Sequence, residues 1–160
     1  MSKIFISPGD PAGIGPEITL KALSENKNIQ NNFVLAGDKE FYQNLIDEYS
    51  LEVNLMDKKS KEKGVIFEHF PLKNEVSLGN PDVSNANYIM EVLSYGALGS
   101  LNKRFKGLIT GPINKELINK SGFEFSGHTE FLAEISNTKK VVMLLTCLLY
   151  TSDAADEHRR

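Results

Sequence analysis

The most constraining feature lies at the start of the chain, where the apolar run Lys3-Ile4-Phe5-Ile6-Ser7 breaks directly into PGDPAGIGPE, residues 8–17. Three glycines and three prolines in those ten residues can extend neither a strand nor a helix. They predict a rigid loop between the two, with Pro16 suited to the first helical position of a segment over 16–24. Strand, loop and helix in that order is the repeating unit of α/β proteins. The unit recurs: an apolar strand over 32–37 is followed by Asp38 as a helix cap and by Phe41, Leu45 and Tyr49 at helical spacing. Further along, the pattern predicts strands over 52–56 and 65–70. A long helix follows over 85–104, with Ile89, Val92, Leu93, Gly96 and Ala97 on one face, its small residues allowing close packing. A strand over 107–110 breaks at Gly111-Pro112, a helix starts near Asn114 and ends at Gly122, and another begins near Thr129 with Phe131, Leu132 and Ile135 facing inward. An apolar strand is predicted over 140–145.

Charge and composition narrow the partners. The 160 residues carry 18 Lys and Arg against 21 Asp and Glu, a net charge of −3, so no global field favours nucleic acid or an anionic membrane. The lysine-rich stretch 57–64 is interrupted by acids and has no aromatic residue, which reads as a solvated loop. No apolar run approaches a membrane span, and the first five residues do not form a signal peptide. The single cysteine, Cys147, excludes an intramolecular disulfide and fits a reducing compartment, so a cytoplasmic location is expected.

Three loops carry candidate chemistry. The first, residues 7–17, sits at the carboxyl end of a strand, where open α/β sheets place ligands. It has neither the third glycine of a dinucleotide fingerprint nor the Gly-Lys-Ser/Thr of a phosphate loop. A ligand-facing loop and a tight structural turn both remain open; Asp10 and Gly13 are its candidate cleft-lining residues. The second, TGPINK over 110–115, offers Asn114 as an orienting hydrogen-bonding group and Lys115 as a charge for an anion, or only a surface lysine in a first helical turn. The third, SGHTE over 126–130, places His128 and Thr129 at a helix start, where an imidazole, a hydroxyl and free N–H groups suit an anionic ligand or serve only local hydrogen bonding. The histidines are His69, His128 and His158, with no HExxH, no paired Cys/His and no dense acidic cluster, so no metal ligands are assigned. No serine lies in a Gly-x-Ser-x-Gly elbow.

After residue 145 the character changes. CLLYTSDAADEHRR has no apolar period, and CLLYTSDAADE is similar to the translation of a sequencing-library adaptor, so residues 146–160 are expected to be a non-native tail.

Taken together, SPGDPAGIGPEI, GLITGPINKELINKSGF and FSGHTEFLAEIS closely resemble the 4-hydroxythreonine-4-phosphate dehydrogenase family of pyridoxal phosphate biosynthesis, over residues 3–145. The resemblance implies a three-layer α/β/α fold like that of isocitrate and isopropylmalate dehydrogenases, here truncated. Residues 1–125 would form a first α/β domain lacking its C-terminal return, and 126–145 the start of a second. It implies a homodimer binding its substrate between two domains, and oxidation of 4-phosphohydroxy-L-threonine with NAD or NADP and a divalent metal such as zinc, magnesium or cobalt. The 3-oxo acid then loses carbon dioxide to give 3-amino-2-oxopropyl phosphate. In such enzymes the metal lowers the pKa of the reacting hydroxyl and stabilises the enolate left by decarboxylation. The family's substrate-contacting His-Thr pair carries over onto His128 and Thr129, whereas its metal-ligating histidines come from later sequence, absent here. Two alternatives stand beside this reading: a sister dehydrogenase of 4-phospho-D-threonate or D-erythronate, and a non-catalytic module that binds a phosphorylated metabolite.

Overall fold

The computed structural model describes residues 3–60, 62–147 and 150–155, with side chains up to Leu144. Met1, Ser2, His158 and part of the expected tail lie outside the described residues. The chain divides into two compact units, Met1–Glu124 and Phe125–Arg160.

The first unit is built on a parallel sheet of β1 (Lys3–Ser7), β2 (Phe33–Gly37), β3 (Leu55–Met56), β4 (Val65–His69) and β5 (Phe105–Thr110), in spatial order β3-β4-β2-β1-β5. Its central strands are continuous apolar runs because both faces are covered. Phe5, Ile6, Val34, Leu35 and Ala36 are all buried. Successive residues point to opposite faces. Ile6 and Leu35 join Leu20 and Leu23 of α1 (Gly15–Glu25) and Tyr42 and Leu45 of α2 (Lys39–Glu48) in one core cluster. Phe5 faces the other way, 4.7 Å from the Phe105 ring and 5.6 Å from Tyr95 of α3 (Ala86–Leu101). Gly96 lets α3 lie close, since a Cβ there would come within 2.5 Å of the Phe5 ring. Helices on both faces of a parallel sheet give the three-layer α/β/α arrangement.

Asp38 caps α2 as its position implied, accepting the Phe41 N–H at 3.1 Å. The strand expected over 52–56 shrinks to Leu55–Met56. The Glu52 N–H is drawn to Ser24 Oγ at 2.8 Å and its carbonyl accepts from the Gln30 amide at 2.9 Å, so that backbone serves α1 and a 3-10 turn, Lys27–Asn32, instead of the ladder. The helix expected from Asn114 is α4 (Lys115–Lys120).

The second unit holds α5 (His128–Ile135) and an antiparallel hairpin of β6 (Met143–Cys147) and β7 (Tyr150–Ala155). Two expectations need correction. Phe131, Leu132 and Ile135 do not face a closed core, for α5 has no buried residue: a unit this short brings too little apolar surface to enclose a helix face. Residues 150–155, assigned no element from their pattern, pair with β6 in the register Met143↔Ala155, a hairpin that β-favouring Tyr150 and Thr151 support.

Candidate functional site

The strand order defines the site. From β1 the chain moves to β2, out to the edge strand β3 and back to β4 on one side, then crosses to the other side of β1 for β5. The order therefore reverses between β1 and β5, and such a switch point opens a crevice outside the carboxyl ends of the strands. The 8–14 and 111–114 loops leave β1 and β5 at this point, and they are locked to each other. Gly111 donates its N–H to the Ser7 carbonyl at 2.7 Å and Asp10 donates its N–H to the Pro112 carbonyl at 3.2 Å. Gly9 takes φ +89°, and a Cβ on it would lie 2.2 Å from the Pro112 oxygen. A Cβ on Gly111 would lie 1.9 Å from the Pro8 oxygen. Two motifs a hundred residues apart in sequence thus form one rigid surface.

Four of the candidate residues belong to this surface or its edge. Asp10 is 4% exposed, and its Oδ1 accepts the Ala12 N–H at 2.9 Å. Burial lifts its carboxyl above the usual carboxylate range, with the Ala12 N–H opposing that rise. Its work is to shape the loop. Asn114 is the N-cap of α4: its Oδ1 accepts from the Glu116 and Leu117 N–H groups at 3.1 and 3.3 Å, which commits that oxygen to the helix. Lys115 opens α4 as an exposed side chain. Gly13 is half-buried on the wall of a cleft of about 340 Å³ between the β1–α1 loop and residues 78–81.

The raised Asp10 pKa has a testable sign. The folded state holds this proton more tightly than the unfolded chain, so ionised Asp10 reduces stability at neutral pH, and the cost disappears as pH falls below the ordinary aspartate value of about 3.9. Asp10→Asn keeps the acceptor for Ala12 and removes the charge. Its melting temperature is expected to exceed wild type at pH 7 and to converge with it at low pH. Asp10→Ala strands the buried Ala12 N–H and is expected to lose about 1–3 kcal/mol in denaturant unfolding.

His128 and Thr129 lie in the second unit, in the first turn of α5. The His128 ring stands edge-on to Phe125 at 5.7 Å, and Phe125 is 2% exposed. Both candidates line a groove of about 400 Å³ that Ser136, Thr138 and Lys140 also reach, and none of its lining residues is acidic. An imidazole, an ammonium and three hydroxyls form a surface suited to oxyanions. Ser136 also hydrogen-bonds to Thr138 Oγ1 at 2.8 Å. His69, at the end of β4, accepts the Lys39 N–H through Nδ1 at 3.1 Å. Among the described residues no three His, Cys, Asp or Glu side chains converge on a point, so their donor set does not fit a divalent metal.

Sequence reasoning missed the segment 71–82. It is pinned across the carboxyl ends of the strands by Leu72 N–H to Asp38 Oδ2 at 3.0 Å and Gly79 N–H to the Ala12 carbonyl at 2.8 Å. The Gly-Asn-Pro sequence at 79–81 is a local turn signal and carries no hint of where the loop travels. Among the described residues, no helix is long and apolar enough to cross a membrane.

The sequence model of the pyridoxal phosphate biosynthetic protein PdxA matches residues 28–152. The 4-hydroxythreonine-4-phosphate dehydrogenase of Vibrio parahaemolyticus is 34% identical over 98% of this chain and 53% of its own length. That of Vibrio cholerae is 36% identical over 89% of this chain and 45% of its own. The crystal structure of the Klebsiella pneumoniae 4-hydroxythreonine-4-phosphate dehydrogenase superposes with a TM-score of 0.80 at 25% identity, covering 92% of this chain and 48% of that one. The chain spans about half the length of the curated relatives it matches. A parallel sheet with its switch point at β1 and β5, two interlocked glycine-proline loops and these sequence matches agree: the chain belongs to the PdxA family.

Proposed function

We propose that the chain supplies the first half of an NAD(P)-dependent dehydrogenase that oxidises 4-phosphohydroxy-L-threonine, the 3-oxo acid product losing carbon dioxide to give 3-amino-2-oxopropyl phosphate. The observation that carries this reading is the locked pair of loops at the switch point, the position at which open α/β sheets bind ligands, in a chain whose relatives are named for that activity. The interlocked backbone gives a fixed wall against which a small substrate can be oriented, and orientation is a main component of catalysis. His128 and Thr129 act as donors to the anionic substrate, and Lys140 adds positive charge to the same groove. The nicotinamide, when bound, supplies the hydride acceptor. The residues present leave room beside Gly13, where a Cβ would meet only Asp10 atoms, at 3.4 and 3.6 Å. They do not fit a metal, so no step is derived through one.

The rest of the reading is proposed on the same footing. The whole enzyme is a cytoplasmic homodimer with a second domain that begins after residue 125, and residues 146–160 are not native sequence. Independently sequenced genomic DNA tests the last point. Its frame is expected to continue past Leu145 into a histidine-containing second half, and a stop codon directly after Arg160 would remove the proposal.

The direct assay is NAD(P)H formation from 4-phosphohydroxy-L-threonine by the whole enzyme. His128→Ala removes a hydrogen-bond donor to a charged ligand, a loss of about 1.5–3 kcal/mol, so kcat/KM is expected to fall by one to two decades. Unchanged efficiency in that variant would remove His128 from the site.

A further inference from the structure

Charge is scarce on the two interlocked loops. Residues 7–17 and 110–115 carry three formal charges, those of Asp10, Glu17 and Lys115. Two of them are already engaged. Asp10 is buried and bonded to the Ala12 N–H, and the Glu17 carboxylate is paired with Lys21. Lys115 is exposed, and the acid beside it in sequence, Glu116, is turned to Lys120 at 2.6 Å. Among the described residues Lys115 forms no ion pair. Its ammonium is therefore the accessible, uncompensated charge that these loops bring to the carboxyl ends of β1 and β5, where a parallel sheet receives its ligand.

The mount of this lysine is as fixed as its side chain is free. On one side Gly111 and Pro112 are bonded to Ser7 and Asp10, and on the other Ile118, one turn along α4, is fully buried. Asn114 joins the two as the cap of α4, its Oδ1 accepting the Glu116 and Leu117 N–H groups. With those groups taken and only six residues in α4, the helix end itself offers little to an anion. What the position offers is one ammonium on a flexible stem, a point charge reaching out from a rigid base. The ligand class follows from charge. 4-Phosphohydroxy-L-threonine carries a phosphate and a carboxylate against one ammonium, so it arrives with net negative charge and is drawn to a cation held at the crevice.

We propose that Lys115 is a substrate-binding residue, its ammonium holding an oxyanion of the substrate, phosphate or carboxylate, at the switch point. The assignment rests on the dehydrogenase reading and deepens it, and it is independent of the donors on α5.

The test uses the whole enzyme. Lys115→Met keeps the apolar stem and removes the charge, and at an exposed position without an ion pair it is expected to leave the melting temperature unchanged. KM for 4-phosphohydroxy-L-threonine is expected to rise about tenfold with kcat changed less, because the contact is lost from bound substrate and transition state alike. Lys115→Arg should recover most of the affinity. Lys120→Met makes the same change in net charge on the same helix and should leave KM unchanged. Competition identifies the group held: inorganic phosphate stands for the phosphate and L-threonine for the carboxylate, and the inhibition constant of at least one should rise about tenfold in Lys115→Met. Unchanged KM in Lys115→Met, an equal rise in Lys120→Met, or a raised KM with both inhibition constants unchanged overturns the assignment and leaves the dehydrogenase reading standing. A wild-type enzyme that does not turn over 4-phosphohydroxy-L-threonine overturns the dehydrogenase reading instead. Calorimetric titration of inorganic phosphate then decides Lys115 by itself: binding lost in Lys115→Met alone keeps the oxyanion site, and equal binding, or none in either protein, removes it.

Discussion

Gly111→Ala is expected to cripple the whole enzyme while leaving most of its secondary structure intact. The added Cβ would lie 1.9 Å from the Pro8 oxygen and 2.3 Å from the Pro8 carbonyl carbon. Both are backbone atoms, so no rotamer change relieves the collision. One of the two loops at the switch point must move, and the bonds Gly111 N–H to Ser7 and Asp10 N–H to Pro112 must stretch or break with it. Overpacking of this kind costs about 1–3 kcal/mol, and the lost hydrogen bonds add to that. A displacement of about 1 Å in the residues that position a substrate lowers turnover about a hundredfold. The measurement pairs kcat/KM with a thermal melt. Gly107→Ala is the control: it lies in β5, the strand that leads into Gly111, its Cβ would meet nothing within 4 Å, and its stability is expected to stay within about 0.5 kcal/mol of wild type. If both variants behave alike, the interlocked loops do not position the substrate.

The part of this architecture legible in the sequence is the part written in local patterns. Continuous apolar runs such as Ile4-Phe5-Ile6 and Val34-Leu35-Ala36 announce buried parallel strands, and Asp38 announces its helix. The glycine-proline loops were legible as loops at strand ends. That they interlock was not, because nothing local says β5 lies beside β1. Where long-range bonds compete with a local pattern, the pattern misleads. Residues 52–54 read as strand, yet Ser24 Oγ and the Gln30 amide, both distant in sequence, take up the Glu52 backbone. Asn114 shows the same limit in a side chain. Its type suits both a ligand contact and a helix cap, and only the geometry shows its oxygen bonded to two α4 N–H groups. Exposure is the least legible property of all. Ile14 and Leu78 look like core residues in the sequence, and it is the course of the 71–82 segment that leaves them in water on either side of a cleft.

The 160-residue chain by itself is expected to show no dehydrogenase activity, although its loops belong to an enzyme family. The curated relatives it matches are about twice as long, and in the proposed reading it carries one wall of the substrate cleft. Holding substrate and cofactor in reacting geometry contributes about 7–11 kcal/mol of barrier reduction, and a single wall cannot hold both. The second unit adds to the deficit. His128 and Thr129 sit on an eight-residue helix with no buried residue, so the donors proposed for the substrate are carried by an element with no closed core behind it. Val142 is 61% exposed and Leu144 59% exposed, which favours self-association over a stable monomer at assay concentrations. The assay is NAD(P)H formation from 4-phosphohydroxy-L-threonine with the purified chain, with light scattering recorded alongside. Turnover near that of the Vibrio cholerae relative would show that the residues described here already form a complete catalytic site, and that the second half serves some other purpose.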